Sequence, residues 1–251
     1  MDEFLNNENI ETATNCDINN DASEPINQPV DNSPSTNEAS DANEKSNPSI
    51  LEKVAKFFSA IFSPLLIPTY GVIIALNLSI IAPMAPLQTR IIVTIATLAI
   101  TCLIPAMVIT YLYKVGIISD LGVNRQKDRL LPYGVAILCY IVGAIYLSEV
   151  NAPQWIPGFM IGGGLAVITS ALINLKWKIS AHGAAMGGLV ALIFMMWRNG
   201  YALFDFTPIA CIAILCAGIV GSSRIILKCH TLGQVLAGTL NGFFWVYLMT
   251  L

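Results

Sequence analysis

The sequence predicts an all-α membrane protein: a polytopic helical bundle of six to seven transmembrane helices that follows a disordered N-terminal tail. Two observations support this fold class. Apolar runs recur from residue 57 to the C-terminus, and most approach the ~20 residues that cross ~30 Å of hydrocarbon. The first 50 residues are acidic, rich in Asn and Ser, and poor in apolar side chains. We therefore expect a tail over 1–50 and a membrane domain over 51–251.

The tail carries eleven Asp and Glu and one Lys. It has too little apolar surface to offset the entropy of ordering, so we expect it to be disordered. It lacks the basic and short apolar regions of a signal peptide. The rest of the chain carries twelve Lys and Arg and five Asp and Glu, so the overall charge of −3 conceals a basic apolar body.

The apolar runs are interrupted by proline and charge, and they are apolar on all sides. A soluble helical core would instead need amphipathic stripes. The first run contains Pro64 and Pro68, so it is expected to be kinked or partly interfacial. The predicted spans are 57–81, 91–113, 131–148, 155–175, 183–203, 206–223 and 231–251.

If all seven runs cross, three polar regions fall on one side of the membrane. These are Lys114–Leu130, Lys176–His182 and Arg224–His230, each separated from the next by a helical hairpin. The same side carries ten of the twelve basic residues of the body. The positive-inside rule places that side, and the N-terminus with it, in the cytoplasm of a multi-pass protein of the cell or inner membrane.

The first polar region brings three bases close together: Arg125, Lys127 and Arg129. Such a group is suited to clamp phosphate oxygens. A basic loop that sets the topology or touches lipid headgroups would have the same composition.

The second polar region reads Ser180-Ala181-His182-Gly183 and is expected to open a helix with Ser180 as N-cap. The free amides and the dipole at that end favour an anion. The alternative is a plain helix cap beside an interfacial histidine.

The third polar region joins Arg224 at the end of one span to His230 at the start of the next. Gln234 is four residues after His230, so the two side chains share a helix face, and the amide could fix the tautomer of the ring. A charge at a span end is a functional candidate. The alternative reading makes Arg224 and Lys228 snorkelling anchors.

No metal site or cofactor is predicted. Cys102, Cys139, Cys211 and Cys216 lie inside apolar runs, and the chain has no CxxC or Cys/His cluster. Nothing in the pattern suggests a nucleic-acid partner; the bilayer is the expected environment, and the oligomeric state is not predicted.

Together these regions resemble the type 2 phosphatidic acid phosphatase superfamily, whose ordered motifs are KxxxxxxRP, PSGH and SRxxxxxHxxxD. The third reads Ser223-Arg224, then His230, then Gln234, with the spacing intact. The second keeps Ser180 and His182. The first is degraded, with Arg129 followed late by Pro132 and Gly122 at the lysine position.

The resemblance implies metal-independent hydrolysis of a phosphomonoester on a lipid, such as a polyprenyl (pyro)phosphate or a phosphatidate-type molecule. It implies that His230 attacks phosphorus and that His182 protonates the leaving oxygen. Phosphate binding is implied for Arg224, Ser180, Ala181 and Arg129, with Lys127 or Arg125 in place of the missing lysine.

Two departures leave alternatives open. The family has an aspartate where this chain has Gln234, which could orient the ring but offers no charge. Family members with lipid substrates generally present the site to the exterior, whereas the basic residues place it inside. An attenuated relative that binds or moves phosphorylated lipids is therefore a second hypothesis. A transporter of unrelated fold, in which the two histidines lie far apart, is a third.

Overall fold

The computed structural model describes residues 49–119 and 129–251. Residues 1–48 and 120–128 lie outside them, so the expected disorder of the tail stays a prediction. The described residues form an all-helical bundle without β-strands: α1 (Ile50–Ile61), α2 (Ile67–Asn77), α3 (Leu87–Leu98), α4 (Ile104–Lys114), α5 (Leu130–Glu149), α6 (Trp155–Asn174), α7 (Ala181–Arg198), α8 (Thr207–Ile226) and α9 (Leu232–Thr250).

Six stretches of the described chain are long and apolar enough to cross a membrane. They are α5 to α9 and the continuous helical stretch Leu87–Lys114, which joins α3 to α4. The predicted multi-pass membrane bundle is thus confirmed, with its span count at the lower predicted value.

The apolar run 57–81 does not form one transmembrane helix. It is split between α1, which begins at the Ser49–Glu52 capping box, and α2, which has Pro68 in its first turn. Proline is tolerated there because a first-turn amide needs no helical partner. The 11 residues of α2 span roughly 16 Å, about half of the hydrocarbon thickness.

The stretch from Leu87 to Lys114 contains one irregular turn. A π-helical segment over Ala99–Leu103 separates α3 from α4. Pro105 follows, and it lacks the amide that would bond to the carbonyl of Thr101. A π-bulge at this point accommodates the missing hydrogen bond and the proline ring. Thr101 and Pro105 both face the central cavity described below.

Helices α7 and α9 cross at very short distance because each carries a glycine pair spaced by four. A Cβ at Gly187 would overlap the carbonyl oxygen of Thr239, and a Cβ at Gly242 would overlap that of Ala184. Gly183 and Gly238 lie one helical turn nearer the start of their helices, and Cβ atoms there would also meet backbone of the facing helix. Small residues at such spacing allow close backbone approach between membrane helices.

The crossing brings the starts of α7 and α9 to the same end of the bundle. There the amide of Ser180 donates to the carbonyl of Gln234 at 3.2 Å. At the opposite end, α9 finishes against the start of α6, where a Cβ at Gly158 would overlap the carbonyl oxygen of Met249. The end that carries Ser180 is called the motif end below.

We predict that Gly242→Ala destabilises the bundle because its methyl group would meet the backbone of α7. Overpacking at such a contact costs about 1–3 kcal/mol, so the midpoint of thermal unfolding in detergent should fall by several degrees. Gly218→Ala is the matched control, since a Cβ in that part of α8 meets nothing within 4 Å. Equal unfolding midpoints for the two variants would contradict the close crossing.

Candidate active site

The spacing of the third motif follows from how α8 ends. The amides of Cys229 and His230 both donate to the carbonyl of Arg224, at 3.0 and 3.3 Å. Lys228 adopts a left-handed conformation with φ of 53°, which reverses the chain. A six-residue separation of Arg224 and His230 is what this closure requires, so it holds the two residues together at the backbone.

His230 is held in place by Gln234, as the sequence predicts. Its Nδ1 lies 3.0 Å from Oε1 of Gln234. The same Oε1 accepts from the amide of Thr231 at 3.3 Å, and the hydroxyl of Thr231 accepts from the amide of Gln234 at 3.4 Å. This capping box opens α9 and fixes the amide side chain of Gln234.

The capping box also decides the tautomer of the histidine. A backbone amide only donates, so the atom of Gln234 that faces Thr231 must be the oxygen. That oxygen can only accept, so Nδ1 of His230 carries the proton. The Nε2 atom of the neutral ring therefore holds the free lone pair, as a nucleophile needs.

The second motif opens α7 as expected, with Ser180 as its N-cap. The Ser180 hydroxyl accepts from the amide of Gly183 at 3.2 Å and is fully buried. Ala181 and His182 line the central cavity, whereas Ser180 does not. Their amides belong to the first turn and have no partner within the helix, so the cavity meets the positive end of α7 at these two residues.

His182 is anchored by α1. Its Nε2 lies 3.2 Å from the backbone carbonyl oxygen of Ser59. A carbonyl oxygen only accepts, so Nε2 keeps a proton and Nδ1 is the nitrogen that is free to exchange one. No pattern in the sequence pointed to Ser59, because it contributes through its backbone.

Arg129 connects the first motif to the second. It precedes α5, is 7% exposed, and its Nη1 donates to the carbonyl of Ile179 at 3.0 Å. Arg125 and Lys127 lie outside the described residues, so their predicted contact with phosphate stays a prediction.

A cavity of about 300 Å³ unites the candidates. Arg129, His182, Arg224 and His230 line it at the motif end. The transporter alternative required the two histidines to lie far apart, so their common cavity argues against it. Along α5 the lining continues from Arg129 to Tyr140, roughly 16 Å deeper into the bundle.

Arg224 places positive charge at the motif end, and no described carboxylate lies beside it to balance that charge. Arg224 is 6% exposed, and its Nε has no hydrogen-bond partner among the residues the structure describes. Those residues include three carboxylates. Glu52 belongs to the α1 capping box, while Glu149 is the last residue of α5 and Asp205 lies between the end of α7 and the start of α8. A buried guanidinium without a counter-charge is costly unless an anion binds.

The same environment keeps His230 neutral. Burial, followed by the positive charge of Arg129, lowers the pKa of His230 to about 2, although the Gln234 hydrogen bond opposes the shift. Arg224 and Lys178 lower it further. At neutral pH the ring is therefore unprotonated at Nε2, which suits attack on phosphorus. Lys178 was not among the residues nominated from the sequence.

We predict that Gln234→Asp raises the pKa of His230, because a carboxylate beside Nδ1 favours the imidazolium. A neighbouring opposite charge typically shifts a pKa by about 1–3. A pH titration of ¹⁵N-labelled histidine by NMR would measure the change. The chain has two histidines, so His182 supplies an internal reference. An unchanged titration of His230 would contradict the Gln234 contact.

Comparison with known proteins supports this assignment of motifs. The family model described as the PAP2 superfamily matches residues 174–251. The match spans α7, α8 and α9, with His182, Arg224 and His230, and leaves Arg129 outside it. A search of curated proteins and a search of solved structures gave no match. The resemblance read from the second and third motifs is thus confirmed: residues 174–251 match the PAP2 superfamily, the type 2 phosphatidic acid phosphatases.

Proposed function

We propose that this protein is a membrane phosphatase that hydrolyses a lipid-linked phosphate, of polyprenyl pyrophosphate or phosphatidate type, through a phosphohistidine. The observation that carries the proposal is the cationic end of the cavity. Arg129 and Arg224 are both buried there beside the neutral His230. The Nε of Arg224 has no hydrogen-bond partner among the residues the structure describes, and this guanidinium beside that of Arg129 suits a phosphate dianion.

The lipid character of the substrate is supported by the depth of the cavity. Below the cations its walls are mainly apolar, and most of them belong to helices that are long enough to span the bilayer, with α2 and the residues before it forming the rest. A phosphate held by Arg129 and Arg224 would place an attached hydrocarbon chain against these walls. Burying such a chain contributes about 0.8 kcal/mol per CH₂ group.

The first chemical step in this proposal forms a covalent intermediate. Nε2 of His230 attacks phosphorus, and the bond between phosphorus and the leaving oxygen breaks. His182, protonated in the complex with the anionic substrate, gives its Nδ1 proton to that oxygen. Its Nε2 keeps a proton and donates it in the hydrogen bond to the carbonyl oxygen of Ser59. Arg129, Arg224 and the first amides of α7 balance the charge on the phosphoryl oxygens.

The second step releases phosphate. Water attacks phosphorus, the bond between phosphorus and Nε2 of His230 breaks, and the proton of the water returns to Nδ1 of His182. Two displacements thereby replace one difficult step. The phosphorylated His230 carries positive charge, which the neutral Gln234 orients through Nδ1 but does not balance.

The absence of a negative charge at Gln234 favours a second candidate function, in which the protein binds or moves phosphorylated lipids with little or no hydrolysis. In the serine hydrolases, replacing the orienting aspartate by an amide costs about 10⁴ in rate, mainly because the tautomer is wrong. Here the capping box keeps the productive tautomer, so only the charge is missing. For this reason we place hydrolysis first.

We predict that the purified protein releases phosphate from a short-chain phosphatidate in detergent, with EDTA present. His230→Ala should reduce this release by at least about a thousandfold, because the covalent route is lost. Lys228→Asn, an exposed change in the same chain reversal, is the matched control and should keep activity. Equal turnover of the wild-type protein and His230→Ala would disprove the nucleophile.

The binding alternative is separated from hydrolysis by Gln234→Asp. An attenuated enzyme gains rate in this variant, because the carboxylate stabilises the phosphorylated ring. A binder gives no phosphate release and no acid-labile phosphohistidine with either protein, yet still retains inorganic phosphate in a binding assay.

We also propose that the motif end faces the cytoplasm. Among the described residues, the bases at that end outnumber those at the opposite end, where Arg90 and Arg198 lie. The bases at the motif end are Lys53, Lys56, Lys114, Arg129, Lys176, Lys178, Arg224 and Lys228. Their excess favours the inner side of the membrane.

This orientation places the C-terminus outside, because α9 ends away from the motif end. Alkaline phosphatase fused after Leu251 should therefore be active in a bacterial host, while a fusion after Lys176 should be inactive. The reverse pattern would put the site on the outer face and would leave the hydrolytic proposal unaffected.

A further inference from the structure

The stretch Trp177–Ser180 contacts the start of α9 on both sides of Lys178. On one side, a Cβ at Gly233 would lie 3.9 Å from Cζ2 of Trp177, so the indole packs against the start of α9. On the other side, the Ser180 amide donates to the carbonyl of Gln234. Lys178 is thus held next to the turn of α9 that orients His230.

A third contact holds the backbone of this stretch against Arg129. Arg129 donates to the carbonyl of Ile179, the residue directly after Lys178. Ile179 itself is fully buried. Lys178 is half-buried, whereas Lys176, two residues earlier in the same loop, is exposed. The two lysines therefore differ in environment although they are close in sequence.

We propose that Lys178 is a phosphate-binding residue that completes the cationic cluster with Arg129 and Arg224. The proposal rests on the phosphatase function proposed above. It names a residue that can provide the positive charge of the lysine that the first phosphatase motif of this chain lacks. The lysine position of that motif is Gly122, outside the described residues. Lys178 supplies an ammonium group from the loop before the second motif, in addition to any contribution from Lys127 or Arg125.

The electrostatics of the site agree with this placement. Burial, followed by the positive charges of Arg129 and Arg224, lowers the pKa of Lys178 to about 8. The charge of Lys178 in turn acts on His230. None of the three described carboxylates forms an ion pair with Lys178. An ammonium group so placed is stabilised when a phosphate binds between the cations.

A lysine that only anchors the loop at the headgroups would behave differently. An anchor buries its methylene stem and keeps its charge in water, as the exposed Lys176 is placed to do. Replacing an anchor alters neither phosphate affinity nor the pH profile. Lys176→Gln is therefore the matched control for Lys178→Gln.

The decisive measurement is kcat/KM for a short-chain phosphatidate in detergent micelles, together with the affinity for inorganic phosphate. Lys178→Gln should lower both by about 10- to 100-fold, the loss expected for one charge-assisted contact. Lys178→Arg should restore most of the loss, and Lys176→Gln should match the wild-type protein. Unfolding midpoints confirm that each variant is folded.

The pH profile supplies a readout that a structural role would not alter. In the free wild-type protein Lys178 loses its proton as the pH rises through about 8, so kcat/KM should fall there. The charged and titratable groups that act on it are Arg129, Arg224 and His230, and His230 stays neutral in this range. In Lys178→Arg the fall should move to higher pH.

The outcomes separate this inference from the function on which it rests. A wild-type protein that neither hydrolyses the phosphatidate nor binds inorganic phosphate overturns both. A wild-type protein that does either, with Lys178→Gln indistinguishable from Lys176→Gln, overturns the role of Lys178 alone. A loss in Lys178→Gln with an unshifted pH profile in Lys178→Arg also overturns it.

Discussion

The whole site depends on the backbone closure at the carbonyl of Arg224. This single oxygen accepts hydrogen bonds from the amides of Cys229 and His230. The two bonds end α8 and reverse the chain, so that α9 runs back through the bundle. The guanidinium group and the imidazole are thereby brought to one cavity. The closure forces Lys228 into a left-handed conformation, which costs about 1 kcal/mol for a residue with a Cβ. The neighbours on both sides, Leu227 and Cys229, are buried and hold the chain in this reversal.

The second constraint is the glycine-lined crossing of α7 and α9. Without side chains at Gly187 and Gly242, the two backbones meet directly. Their starts are then close enough for the Ser180 amide to reach the Gln234 carbonyl. The crossing therefore sets the position of His182 relative to His230. In a bilayer, where apolar side chains gain little by packing together instead of against lipid, such close contact is a main source of helix association.

Sequence reasoning succeeded where one element decides the outcome. Length and hydropathy were enough for the long helices, and the i+4 spacing of His230 and Gln234 predicted their hydrogen bond. The prolines of the run 57–81 led us to expect a kink, and the structure divides this run between α1 and α2. Sequence reasoning missed the carbonyl of Ser59, because its contact with His182 is a tertiary one that leaves no local pattern.

The replacement of the expected aspartate by Gln234 fits the surplus of positive charge. A carboxylate at that position would partly neutralise Arg129 and Arg224 in the empty site, and it would compete electrostatically with an incoming phosphate. The amide keeps the tautomer through its contact with Thr231 and adds no negative charge to the site. In the proposed reaction, Gln234 therefore favours binding of the phosphate anion but stabilises the phosphorylated histidine less than an aspartate would. The surrounding cations then oppose positive charge on that ring, so hydrolysis of the intermediate, which relieves this charge, is driven forward.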